Sequence, residues 1–232
     1  MRFETASELG KANLEVFAET LLSLARQNSN VLAVTSDSRG SGKLLPFAAG
    51  LPDQIIEVGI AEQNLVGISA GLASTDKIVY AVSPASFLTA RALEQIKNDV
   101  CYSDQPVKLI GISAGVSYGA LGSTHHSTHD LAVLRAINNI TIIVPADNFE
   151  TAEAIKAAAT MPHPVYIRFG KRPMYHLHGP DTEFEVGKSI VIREGTDITF
   201  IATGETVYHA LEASRVLEEK GRTCRVISMH TV

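Results

Sequence analysis

Short apolar runs alternate with segments of helical periodicity along most of this chain, and a parallel β-sheet covered by helices on both faces is the arrangement that buries such an alternation. The strand candidates are Val31–Thr35, Gln54–Val58, Lys77–Val82, Val107–Ser113, Thr141–Val144 and Val165–Arg168. Between them helices are expected over Ala61–Ala73, Thr89–Asp99, Asp130–Arg135 and Asn148–Ala159. An amphipathic helix opens the series, with Phe17, Ala18, Leu21, Leu22 and Ala25 at helical spacing and a stop at Asn28-Ser29-Asn30. The fold class read from this is α/β, a doubly wound parallel sheet, in which ligands bind beyond the carboxyl ends of the strands. Asp37, Glu62, Phe87, Ser113 and a histidine cluster all follow strand ends, so one edge of the sheet can gather them.

Glu62 stands between the β-rich run Ile55-Ile56-Glu57-Val58 and a helix carrying Gly67, Ala70 and Gly71, whose lack of bulk admits close packing. A carboxylate at such a junction can be part-buried, its pKa raised, and able to exchange a proton near neutrality. An acidic side chain in a first helical turn also serves the helix dipole with no chemistry at all. Periodicity leaves both readings open.

Two glycine signals fail on spacing. In Gly40-Ser41-Gly42-Lys43, Asp37 stands where a phosphate-binding loop needs its first Gly, and Leu44 where it needs Ser or Thr. Gly111, Gly115, Gly119 and Gly122 do not form G-x-G-x-x-G, and no acidic residue follows at the ribose distance. In Thr124-His125-His126-Ser127-Thr128-His129, His125 and His129 are four apart, yet no Glu follows His125 and no third zinc ligand is implied. Cys101 and Cys224 lack any paired spacing and read as buried reduced thiols. A net charge of −5 without a basic stripe argues against nucleic acid or an anionic membrane as partner. Met1-Arg2-Phe3-Glu4 does not open a secretory signal, and no apolar run approaches a membrane span, so a cytoplasmic protein is expected.

The string G-I-A-E-Q-N followed by G-I-S-A-G-L-A resembles the pyrimidine-binding domain of thiamine-diphosphate enzymes of the transketolase family. Further segments agree in order: S-P-A-S-F-L-T-A-R-A-L-E-Q with Phe87, G-A-L-G-S-T-H-H ending at His126, I-I-V-P-A-D to Asp147 and P-V-Y-I-R-F-G to Gly170. The resemblance runs from Leu14 to Val232, and its motifs in register are specific. It divides the chain into a pyrimidine-binding domain at 1–172, a linker at 173–185 in the Pro- and Gly-punctuated stretch that begins near Lys171, and the start of a transketolase C-terminal domain at 186–232, incomplete at Val232. The diphosphate and magnesium motif of the preceding family half, G-D-G with a trailing Asn, does not occur here. The chain therefore resembles the second subunit of a split transketolase, active with an N-terminal partner that binds Mg2+ and the diphosphate, in a heterotetramer of two each.

The resemblance also assigns roles. Glu62 is implied to share a proton with the cofactor's pyrimidine nitrogen, which lets the cofactor's own amine act as base. Phe87 is implied to stack on that ring, Asp37 to lie close to the cofactor, and His125 to meet substrate oxygens. Arg168 falls on the family's phosphate-contacting arginine, a role that suits a guanidinium. The pattern departs at Leu121, where the family carries an aspartate reading a donor hydroxyl, and at Ser113, which replaces a phosphate-binding His. His126 and His129 are candidates for new substrate contacts. Ketol transfer between sugar phosphates is the expected activity. Deoxyxylulose-phosphate synthesis or a 2-oxoacid dehydrogenase β subunit is the alternative on the same scaffold, and a non-catalytic pairing relic the reading from a different class.

Overall fold

The computed structural model describes residues 8–232. The first four residues, read above for a leader, lie outside that span. In chain order the elements are β1 (Leu9–Ala12), α1 (Asn13–Gln27), β2 (Val31–Thr35), α2 (Leu45–Gly50), β3 (Ile55–Glu57), α3 (Glu62–Ala73), β4 (Ile78–Pro84), α4 (Ala85–Arg91), and α5 (Leu93–Gln95), which runs into π-helical turns over Ile96–Tyr102. They continue with β5 (Lys108–Ile112), α6 (Asp130–Arg135), β6 (Thr141–Ile143), α7 (Asn148–Thr160), β7 (Val165–Phe169), β8 (Pro173–Tyr175), β9 (Ile190–Arg193), β10 (Ile198–Ala202), α8 (Thr206–Glu218) and β11 (Cys224–Ser228).

Six strands form one sheet in the order β3-β2-β4-β5-β7-β6, every pairing parallel. Alternate strand residues face opposite layers. Ala33, Tyr80, Val82 and Ile110 pack with Phe17 and Leu21 of α1 and Ile155 of α7. Val34, Val79, Ala81 and Leu109 pack with Leu65 and Val66 of α3, Leu88 of α4 and Leu134 of α6. Burial on both faces is why these runs are continuously apolar rather than alternating. After β2 the chain moves outward to β3 and then crosses back to β4, so the strand order reverses between β2 and β4. That reversal opens a crevice at the carboxyl edge, the usual ligand position in open α/β sheets. Ser36 and Ser83 tie the two strands beside it, hydroxyl to hydroxyl at 2.8 Å.

One expectation is corrected, and a short strand lies within the stretch read as linker. The helix expected from Thr89 begins at Ala85, directly after Pro84 sets an extended turn, breaks at Ala92 (φ −107°, ψ 19°) and closes as π-helix. The stretch read as linker contains β8, which pairs antiparallel with β1, Leu9 opposite Tyr175 and Ala12 opposite Pro173. Strands this short, one opening on proline, leave no alternation to detect. β9 was likewise not expected.

A second, three-stranded sheet follows in the order β10-β11-β9, with β10 and β11 parallel and β9 antiparallel. α8 covers it through Val207 and Leu211. Backbone bonds join it to the first sheet: Val144 N–H donates to His230 at 2.7 Å, Gly204 N–H to Val144 at 3.0 Å and Val232 N–H to Ile142 at 3.1 Å. A buried polar knot sits at the same junction. His178 Nδ1 lies 2.9 Å from Asp147 Oδ2 and Nε2 lies 3.2 Å from Glu150 Oε1, while Ser228 of β11 donates to Glu150 at 2.6 Å. All three charged side chains are at most 1% exposed. Glu150 also accepts from Ala146 N–H, and Asp147 caps α7 and accepts from Leu177 N–H.

Burial alone would lower the pKa of His178, but the two carboxylates outweigh it and lift the imidazole to about 9 from 6.5. Burial would raise Asp147, yet His178 and the backbone N–H groups of Glu150 and Leu177 hold it below its ordinary range. His230, stacked on Phe184, is pushed down by burial. Because folded His178 binds its proton more tightly than the unfolded chain, its stabilisation is complete below pH 6.5 and is lost as pH rises through about 9. A shift of that size corresponds to about 3 kcal/mol. His230 acts with the opposite sign, its contribution falling as pH drops through 6.5. Urea denaturation of wild type and His178→Asn should therefore show a stability gap that is widest near pH 6 and narrows towards pH 9.5, His230 being common to both. A gap independent of pH would mean that His178 is not charged in the knot.

Candidate active site at the carboxyl edge of the sheet

β3 ends at Glu57, and the turn through Gly59 (φ 74°) delivers Glu62 as the first residue of α3. The carboxylate is 3% exposed. Its partner is Arg91, the last residue of α4, whose Nη1 donates to both oxygens at 3.1 Å. The same guanidinium lies over the Phe87 ring, 4.3 Å from its centroid, as residues four apart on one helix can. Phe87 in turn meets the His125 ring edge-on at 5.2 Å, and His125 meets Tyr118 in the same way at 5.2 Å. Lys171 Nζ lies 4.7 Å from the Tyr118 ring. Glu62, Arg91, Phe87, His125, Tyr118 and Lys171 thus form one contact chain drawn from four segments of the sequence.

Beside it opens a cavity of about 480 Å3, walled by Ser86, Phe87 and Arg91 of α4 and by Ser123, His126 and His129 of the loop before α6. Ser86 Oγ is buried there with no hydrogen-bond partner among the described residues. Thr124 pairs with His125 Nδ1 at 3.0 Å, His126 Nε2 lies 3.1 Å from the Gly119 carbonyl and His129 Nε2 lies 3.4 Å from Thr89 Oγ1. A bridge between Gly115 and Ser127 folds this loop back over the end of β5.

The remaining sequence candidates are less central. Ser113 is buried with φ 56°, a left-handed backbone that a serine seldom adopts, and its hydroxyl has no partner among the described residues. Asp37, also left-handed at φ 50°, is exposed, and its N–H donates to Glu57 at 2.6 Å. Leu121 is 56% exposed in the 119–121 turn and does not line the cavity.

Arg168 is only 17% exposed, and its Nη1 is held at 2.6 Å by Asp130, which is fully buried. Tyr166 donates to the same carboxylate at 2.7 Å, and burial together with Asp130 raises its phenol well above the usual value. Gly111 on the neighbouring strand makes this possible, because a methyl there would collide with the Tyr166 hydroxyl. Arg168 is therefore tied into the core as well as close to the edge.

Sequence reading missed Arg91 and Asp130. The signal for Arg91 was present, since a cation four residues after Phe87 shares its helical face. Asp130 reads as an ordinary first-turn acid, and only the fold sets it against Arg168 and Tyr166. Among the described residues, no group of three or more His, Cys, Asp or Glu is placed to hold a metal ion, and no helix is long and apolar enough to cross a membrane.

Chemically, the edge offers a buried carboxylate, an aromatic face beside it and histidines around an adjoining cavity. A planar group that donates a hydrogen bond fits between the first two, as the guanidinium of Arg91 already demonstrates.

Comparison with known proteins is consistent with this geometry. Residues 10–175 match the family model described as transketolase, pyrimidine binding domain, and residues 187–232 match transketolase, C-terminal domain. The chain is 49% identical over 217 residues to an apulose-4-phosphate transketolase subunit of Phocaeicola vulgatus, covering 93% of this chain and 70% of that one. It is 39% identical to the corresponding apulose-4-phosphate transketolase subunit from Actinobacillus succinogenes, covering 94% and 70%. A solved split gene transketolase, described as an inactive beta4 tetramer, superposes with a TM-score of 0.87 at 36% identity over 96% of this chain and 72% of its own.

Breaking the Asp130–Arg168 pair strands a buried charge. Arg168→Met should destabilise the fold by about 3 kcal/mol, read by urea denaturation. A loss below about 1 kcal/mol would mean that the pair is hydrated and no more than a surface bridge.

Proposed function

The chain belongs to the transketolase family, and from that premise we propose that it is the second subunit of a split transketolase that moves a two-carbon ketol unit between unusual sugar phosphates. As a transketolase subunit it is part of a transferase that uses thiamine diphosphate. The observation that carries the proposal is the buried Glu62 carboxylate beside the Phe87 face at the edge where β3 and β4 end.

The residues present suit the cofactor's ring. Glu62 would hold the proton at the pyrimidine nitrogen para to the amine, and Phe87 would stack on the ring. When bound, thiamine diphosphate supplies a carbon nucleophile whose formation is assisted by its own aminopyrimidine. We assign substrate oxygens to His125, which meets Phe87 edge-on, and to His126 and His129 of the cavity wall. We assign Asp37 to the cofactor side, and Ser113 and Leu121 to substrate. Arg168 is assigned to a substrate phosphate, its second Nη lying beside the place a side chain on Gly115 would fill. Mg2+ and the diphosphate are assigned to an N-terminal partner subunit, in an assembly of two copies of each. The likeness to a solved β-only tetramer described as inactive supports that dependence.

We also propose the domain division 1–172, 173–185 and 186–232, and a cytoplasmic location.

Glu62→Gln keeps the shape of the side chain but cannot share the proton. In the reconstituted enzyme it should assemble normally and turn over about a hundredfold more slowly or worse. Turnover above about a tenth of wild type, a barrier change under about 1.4 kcal/mol, would remove Glu62 from this role.

Substrate choice follows from Leu121. An apolar side chain cannot read a hydroxyl, and a site without that reader discriminates only about ten- to two-hundredfold where a hydrogen-bonding one reaches several orders of magnitude. With its partner, the enzyme should favour a branched or otherwise altered ketose phosphate such as apulose 4-phosphate over xylulose 5-phosphate. Leu121→Asp, at an exposed position that accepts the charge, should move the ratio of kcat/KM values towards xylulose 5-phosphate. Wild-type preference for xylulose 5-phosphate, unchanged by the substitution, would show that this loop does not set specificity.

A further inference from the structure

We propose that Arg91 is a built-in occupant of the ring site, laid over Phe87 and Glu62 when the cofactor is absent and displaced when its pyrimidine enters. This rests on the functional reading above, which places a planar ring against those two residues.

The guanidinium makes both contacts assigned to the ring. It stacks on Phe87 at 4.3 Å from the centroid, and Nη1 donates to the two Glu62 oxygens at 3.1 Å. Two planar groups cannot share one aromatic face and one pair of carboxylate oxygens, so ring and guanidinium exclude each other. The asymmetry of burial decides which moves. Glu62 is 3% exposed and fixed at the start of α3, whereas the Arg91 side chain is 46% exposed and walls the open cavity. Glu62 does not line that cavity, so access to it from there runs past Arg91. Arg91 also ends α4, where the helix breaks at Ala92, and its long side chain can swing into the adjoining space without moving the strand-anchored elements.

An occupant of this kind has a physical reason. A buried carboxylate without a partner carries a large desolvation cost. The free subunit therefore needs a cation on Glu62 until a ring nitrogen replaces it. The pair also imposes a cost on binding, because only the fraction of molecules with Arg91 withdrawn can accept the ring, and the apparent affinity falls by that fraction.

The probe is thiamine, which carries the ring but no diphosphate and so does not call on the partner's metal site. Its binding to the full chain is measured by calorimetry and ligand-observed NMR in wild type, Arg91→Met and Arg91→Lys, with circular dichroism confirming the fold. If the open state is populated about one time in ten in wild type, Arg91→Met binds thiamine about tenfold more tightly. Arg91→Lys, which can pair with Glu62 but cannot stack as a plate, falls between them. A gain in affinity is an outcome that structural damage does not produce, and the lysine variant tests the idea even if the methionine variant folds poorly. Equal or weaker binding by both Arg91 variants, or no measurable binding by either, overturns the proposal. Phe87→Ala and Glu62→Gln separate this from failure of the functional reading. If they abolish binding while the Arg91 variants bring no gain, the ring site stands and the occupant does not; if they leave binding untouched, the ring site itself is misassigned and both fall.

Discussion

A parallel sheet whose inner strands β2, β4 and β5 are buried on both faces leaves polar chemistry little room along their length. Strand β4, between β2 and β5, has six of its seven residues buried, and nothing along its length can hydrogen-bond a ligand without leaving backbone groups unpaired. Apart from Arg168 on β7, the candidate site residues stand in the turns and helix starts that follow the strands. The reversal of strand order between β2 and β4 then gathers those turns around one crevice. Glu62 after β3, Phe87 after β4 and the histidine loop after β5 meet there because the sheet leaves them no alternative.

Within that crevice, the balance is set by a buried anion. Glu62 sits in the first turn of α3, where the helix dipole favours it, but burial to 3% exposure makes a direct partner necessary. Arg91 meets that need and shields Phe87 at the same time. A second buried anion, Asp130, plays the comparable part at the next strand end, fixing Arg168 and Tyr166. Both carboxylates hold an arginine, with different consequences. The Arg91 side chain is nearly half exposed, whereas Arg168 is drawn into the core.

The junction between the two sheets follows the same rule on a larger scale. Asp147 both caps α7 and accepts from Leu177 and His178, and Glu150, one turn on, accepts from Ser228 of the second sheet. The V-P-A-D segment that resembles the family motif is thus a structural hub in this chain, joining layers rather than facing the crevice.

By itself, the sequence determined the layers. The apolar runs are long enough, and spaced by segments of the right period, that the six parallel strands and the helices α1, α3, α6 and α7 fall within a few residues of where periodicity puts them. It also supplied Glu62, Phe87 and His125 through motif resemblance, and their convergence on one edge follows from strand-end logic alone. The short antiparallel pair β1–β8 and the broken helix over 85–102 were not legible, because neither strand of the pair carries an apolar run or an alternation and helix breaks are set by packing. The pairings were beyond reach as well. That Arg91 covers Glu62 rather than solvent, that Asp130 rather than a ligand holds Arg168, and that Leu121 stands exposed outside the cavity wall are facts of which side chains become neighbours. Contacts between residues 29 and 38 positions apart depend on the closed fold. Local propensity fixes where an element runs, but the partner of a buried charge is chosen only when the chain has closed around it.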